Sequence, residues 1–204
     1  MKAILLGSIG TLADVSALKR RAFQRAFQEN GLHLADLKPQ AVRRVPRRHN
    51  ILNYRVPVSK ILGDRNRFFA EELKGRPVRR NPGLDALLDG VAAAGLAIGL
   101  VTTTPSDWLG QVLEDIGLPS ETFDTIITAD QVVAAKPQPD CYHLAAAMIA
   151  VAPEDCLAVE DSIFGAQAAE SAGMSVRMMP SLRAPEESMA HLLRTAVQND
   201  QEQG

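Results

Sequence analysis

From Gly83 onward, helical stretches and short apolar runs alternate four times, an order that a parallel sheet covered by helices on both faces accommodates and most other architectures do not. The pattern predicts a helix over about 83–94 closed by Gly95, a strand over 96–101, a helix over 105–116 closed by Gly117, and a strand over Phe123–Thr128. A helix over 139–150, a strand over 156–161, a helix over 163–172 closed by Gly173 and a strand over 175–179 complete the series. A fifth strand comes from Ala3-Ile4-Leu5-Leu6, an apolar run that delivers Gly7-Ser8-Ile9-Gly10-Thr11-Leu12 to the surface as a loop. Loops at the carboxyl ends of strands in such a sheet are where ligands bind. This one contains no carboxylate.

Between the first strand and Gly83 the chemistry changes. From Val15 to Pro82 there are 17 Lys and Arg against five Asp and Glu, a balance of +12, which leaves −14 for the rest of a chain whose formal net charge is −2. Such asymmetry points to an anionic partner for the basic segment or to attraction between the two regions. Leu18, Ala22, Phe23, Ala26 and Phe27 recur at helical spacing with Lys19, Arg20, Arg21 and Arg25 opposite, and Asn30-Gly31 stops that helix. Pro39, Pro46, Pro57 and Gly63 are expected to break the remainder into short helices. Arg43, Arg44, Arg47, Arg48 and His49 form its densest basic cluster, suited to bidentate contact with phosphate or carboxylate. A solvated basic face, an acidic protein surface and a phosphorylated small molecule are the readings open to it. Nucleic acid is disfavoured because no aromatic residues interleave with the arginines.

Length and composition add bounds. A chain of 204 residues with 46% hydrophobic residues can bury a core as one or two domains. No apolar run approaches the roughly 18 residues of a membrane span, and Met1-Lys2 leads straight into a strand, so no membrane association and a cytoplasmic location are expected. Cys141 and Cys156 read as reduced core thiols, and Ala184 to about Gln198 as an amphipathic helix carrying Met189, Leu192, Leu193 and Val197.

Four short motifs in order resemble those of the haloacid dehalogenase (HAD) superfamily, in the branch of β-phosphoglucomutase and the Calvin-cycle sugar-bisphosphate phosphatases. They are Gly7-Ser8-Ile9-Gly10-Thr11-Leu12; Ile98-Gly99-Leu100-Val101-Thr102-Thr103-Thr104-Pro105; Ala135-Lys136-Pro137-Gln138-Pro139-Asp140; and Leu157-Ala158-Val159-Glu160-Asp161-Ser162 with Gly165, Ala168-Ala169 and Ala172-Gly173-Met174. The resemblance implies a Rossmann-like core, residues 1–14 and 83–204, with a parallel sheet of strand order 5-4-1-2-3, and a helical cap, residues 15–82, inserted after the first strand.

It also implies site residues. In the family the first motif reads Asp-x-Asp, a nucleophile and a general acid/base; here Gly7 and Ile9 stand in that frame, and neither can replace a carboxylate. Ser8 is no substitute nucleophile: alternation along an extended strand end turns it away from the side of Gly7 and Ile9, and no histidine is near in sequence. Ser8, Gly10, Thr102, Thr103 and Lys136 are the expected phosphate contacts, and Lys19, Arg47 and Arg48 the expected cap contacts. Mg²⁺ would fall to Asp161 and Glu160, a weak site unless the ligand supplies oxygens. Lys136, Glu160 and Asp161 sum to −1, against −3 with two further aspartates, so a phosphate is better tolerated without metal. The resulting expectation is an inactive phosphatase fold that binds a small phosphorylated or anionic ligand. The alternatives are a weak or repurposed hydrolase acting through Asp161 or a metal, and a module whose basic cap docks an acidic protein.

Overall fold

The computed structural model describes residues 1–32, 56–76 and 78–179. Five parallel strands, β1 (Ala3–Leu6), β2 (Ala97–Val101), β3 (Thr125–Ile127), β4 (Cys156–Glu160) and β5 (Ser175–Met178), lie in the order β3-β2-β1-β4-β5. This is the expected 5-4-1-2-3 order read from the other edge. Ala3 pairs with Ala97 on one side and with Cys156 on the other, so β1 is central.

All four β1 side chains are fully buried, which explains their uninterrupted apolarity: a parallel strand is covered on both faces. Full burial of an Ile or Leu side chain stabilises by about 1.5–3 kcal/mol, so this run alone is a large part of what holds the sheet. Ala3 and Leu5 face a core built with α6 (Asp140–Met148) and α7 (Ile163–Ser171), through Tyr142, Ala145, Ala168 and Ala169. Helices α4 (Leu84–Ala93) and α5 (Ser106–Asp115) bury Leu84, Leu87, Val91, Leu109 and Val112. Cys141 and Cys156 are buried and free, and burial pushes the Cys156 thiol up to about 11.

The loop expected after β1 is instead one helical turn, α1 (Ile9–Leu12). Ser8 is its cap: the Gly10 amide donates to Ser8 Oγ at 2.8 Å, and Thr11 Oγ1 donates to the Ser8 carbonyl at 2.6 Å. Strand alternation, on which the expected direction of Ser8 rested, therefore ends before Ile9, and the Ser8 Oγ is turned onto the helix it caps.

The described residues fall into two compact units, one made of Met1–Asp14 with the chain from Val78 onward, the other lying within Val15–Pro77. In the first unit the departing and returning strands of chain are clasped together. Asp14 N donates to the Arg79 carbonyl at 3.1 Å, Asn81 N to the Leu12 carbonyl at 2.8 Å, and Asn81 Nδ2 to the Gly10 carbonyl at 2.6 Å.

In the second unit α2 (Ser16–Glu29) and α3 (Val58–Gly75) pack through Leu18, Ala22, Ala26 and Phe27 against Ile61, Phe68, Phe69 and Leu73. Pro57 caps α3, but the break expected at Gly63 does not occur. An interior glycine costs a helix about 1 kcal/mol, less than the burial of the apolar residues on either side of it. The Arg25 and Arg67 guanidinium groups lie 4.1 and 4.2 Å from the Phe68 ring centre. Every described acidic residue of this unit is in an ion pair: Glu72 with Arg21 at 2.6 Å, Glu71 with Arg25 at 2.6 Å, Asp64 with Lys60 at 2.8 Å and Glu29 with Arg67 at 2.9 Å. The breaks at Pro39 and Pro46, the cluster Arg43 to His49, and the helix from Ala184 lie outside the described residues. No described helix is long and apolar enough to cross a membrane.

Candidate functional site at the strand ends

The sheet order puts the carboxyl ends of β1, β2 and β4 side by side, and each delivers part of one polar cluster. β1 leads to Gly7, β2 ends on the Val101 carbonyl and β4 on Glu160; Lys136 and Tyr142 reach the same place from the chain that follows β3. Lys136 Nζ donates to Glu160 Oε1 at 2.6 Å, to the Gly7 carbonyl at 2.5 Å and to the Val101 carbonyl at 2.9 Å. Those three acceptors use the three donors of an ammonium. Its side chain is 6% exposed and that of Glu160 0%.

Glu160 is equally committed. Tyr142 OH donates to Oε1 at 2.7 Å, while the Asp161 amide and Ser162 Oγ approach Oε2 at 3.2 and 3.3 Å. Burial, and after it the negative charge of Glu160, push the Tyr142 phenol far above its ordinary range, so it stays protonated and donating. The ring of Tyr142 also lies 4.7 Å from Lys136 Nζ.

Two glycines make room for this carboxylate. A Cβ on Gly7 would stand 2.2 Å from Glu160 Cδ and 2.5 Å from Tyr142 OH, and a Cβ on Gly165 would stand 1.9 Å from Glu160 Cδ. Asp161 is exposed, and its Oδ2 lies where a Cβ on Gly10 would fall, 1.9 Å away. Ser162 caps α7 by accepting from the Gly165 amide at 3.0 Å.

Thr102 is buried, its Oγ1 accepting from the Thr104 amide at 3.1 Å and its own amide donating to the Ile127 carbonyl at 2.8 Å. Thr103 is exposed, Ser8 half-buried, and Gly10 and Ile9 buried in α1. Lys19 is half-buried on α2, in the helical unit, and Arg47 and Arg48 lie outside the described residues. Tyr142 was not among the residues expected from the motifs; a phenol six residues after Lys136, on the buried face of the helix that opens at Asp140, is the signal that could have found it.

Magnesium takes six oxygens in near-octahedral geometry, usually through one or two carboxylates. Glu160 offers neither oxygen outward, since both accept hydrogen bonds and one has an ammonium 2.6 Å away. Among the described residues no three His, Cys, Asp or Glu side chains converge. The donors as arranged do not fit the ion.

A parallel sheet of this order with polar groups gathered at its central strand ends defines a Rossmann-like α/β protein, and those strand ends are its candidate site. A profile of the haloacid dehalogenase-like hydrolases matches residues 10–179, and the chain belongs to that family. It is 28% identical over 204 residues to Protein CbbY of Cereibacter sphaeroides, covering 93% of this chain and 89% of that one. To the putative phosphatase YhcW of Bacillus subtilis it is 40% identical over 113 residues, 55% of this chain and 50% of the relative. The crystal structure of CbbY from Rhodobacter sphaeroides in complex with phosphate superimposes with a TM-score of 0.71 at 26% identity, covering 94% of this chain and 96% of the other. Phosphatase-like HAD architecture, in the branch the motifs resemble, is thereby shown.

Proposed function

We propose that this chain is a HAD-fold protein that binds a small phosphorylated molecule at the ends of β1, β2 and β4 without forming a phosphoaspartate. The observation that carries the reading is the place of Gly7. The residue in the nucleophile frame has no side chain, and the volume a side chain would need holds the Glu160 carboxylate, pinned by Lys136 and Tyr142. A carboxylate with no exposure and both oxygens bonded cannot attack phosphorus in line. Ile9, in the frame of the general acid/base, has nothing to donate.

Binding draws on different groups from turnover. The Ser8 and Thr103 hydroxyls and the backbone around Gly10 are the contacts proposed at the rim, with Thr102 and Lys136 behind them. Lys136 acts there as a fixed charge, since its donors are directed to Glu160, Gly7 and Val101. Support for a phosphate ligand comes from the phosphate complex of CbbY and from that of a CbbY mutant with xylulose-(1,5)bisphosphate. The helical unit is proposed to act as the cap, with Lys19, Arg47 and Arg48 contributing to the ligand's second anionic group.

The test is turnover and binding on one panel of phosphorylated sugars and an aryl phosphate, with and without Mg²⁺. Saturable binding with no release of phosphate is the expected result. Absence of binding to every phosphorylated compound would refute the ligand class, and turnover by the unaltered chain would refute the missing chemistry. One observation favours a second reading, weak hydrolysis: the exposed Asp161 carboxylate beside Gly10 could orient a water. Turnover abolished by Asp161→Ala is the result that reading requires.

A further inference from the structure

Gly7, Gly165 and Glu160 share one volume. Two glycines on different elements, each of which would meet the same carboxylate if it carried a Cβ, mark that carboxylate as something the backbone is built around. The cation beside it is held as firmly, by two backbone carbonyls besides the carboxylate. We propose that the Lys136–Glu160–Tyr142 cluster is a built-in replacement for an aspartate-and-metal pair at the end of β1: Glu160 supplies a carboxylate where position 7 has none, and the Lys136 ammonium is its resident cation. The inference rests on the proposed reading of Gly7, but its test does not require a phosphorylated ligand.

Three features carry it. Glu160 and Lys136 sum to zero charge, so the buried centre has no excess negative charge to recruit a divalent ion. Such an ion would have to displace an ammonium 2.6 Å from Oε1 and break the Tyr142 hydrogen bond at 2.7 Å. The other acidic neighbour, Asp161, holds its carboxylate over Gly10 and is exposed. The site consequently keeps its fold, and its affinity for an anion, without magnesium.

Thermal unfolding of the full chain in EDTA, in excess MgCl₂ and in NaCl of matched ionic strength tests the claim. An unchanged midpoint is expected for the unaltered protein. A saturating magnesium-specific rise of about 2–4 °C, the shift that modest binding gives a domain of this size, would overturn it. Folded Lys136→Met should acquire a magnesium-dependent midpoint, because Glu160 is then left without its cation; a flat response would remove Lys136 from the role. Should that variant not fold, a mutant cycle decides. Gly7→Ala should lower the midpoint of the unaltered chain and lose roughly half or more of that effect in a Glu160→Ala background, whereas equal losses in both backgrounds would show that the two residues do not share a volume.

Discussion

The sheet unit and the helical unit both join cations to carboxylates, yet in opposite surroundings. Lys136 and Glu160 are 6% and 0% exposed, while Arg25 and Glu71 are 40% and 45% exposed. In the first setting neither charge can return to water when its partner is lost; in the second, water replaces the partner at little cost. Similar distances, 2.6 Å in both, therefore carry very different energies. The comparison teaches that burial and the saturation of each donor and acceptor, more than separation, determine how far a pair constrains its neighbours.

The largest effect should come from splitting the buried pair. Lys136→Met is expected to destabilise by about 3–5 kcal/mol in urea unfolding, because Glu160 is stranded in the core. Gly165→Ala should follow, at roughly 1–3 kcal/mol, since its methyl would stand 1.9 Å from Glu160 Cδ. Tyr142→Phe removes one donor from a charged acceptor that keeps three others, and about 1–2 kcal/mol is expected in the same measurement. Equal sensitivity to Arg25→Ala would break the comparison, for an exposed pair is worth only about 0.2–1 kcal/mol and should weaken further in salt.

The smallest predicted effect is the part of the pH dependence that comes from Asp64 in the helical unit. Hydrogen bonds from Lys60, then Asn30, hold the Asp64 carboxyl down at about 2. A folded-state value below the unfolded one, near 4 for an aspartate, contributes stability that is present above about pH 4 and lost as pH falls through about 2. Thermal midpoints between those limits should fall less steeply in Asp64→Asn than in the unaltered chain.

Elements that depend on apolar periodicity were legible in the sequence. The run Ala3–Leu6 and the glycine-closed helices before β2, β3 and β5 follow from burial patterns that one chain displays by itself, whereas the strand order came from the resemblance of four motifs to a known family. The turn at Ile9–Leu12 was hidden because Gly-Ser-Ile-Gly favours a loop until the Ser8 hydroxyl closes on the Gly10 amide. Gly63 misled in the other direction, since a local penalty was read without the packing that overrides it. At the site, Lys136 and Glu160 were legible as charged residues brought to the strand ends. Their mutual saturation was not, because that depends on which way two long side chains turn in a core, and on Tyr142, which is not among the site residues expected from the motifs.

The clasp formed by Gly10, Leu12 and Asp14 with Arg79 and Asn81 bears on how the chain is made. Ala3 must pair with Ala97 and Cys156, so β1 leaves the ribosome well before either neighbour exists. Arg79 and Asn81 hold the Gly10–Asp14 stretch, and they precede α4 and β2 in the chain. The clasp joins the strand end made first to the chain that leads into α4 and β2, so the two stretches of sequence that build the sheet unit are tied together by their own backbones.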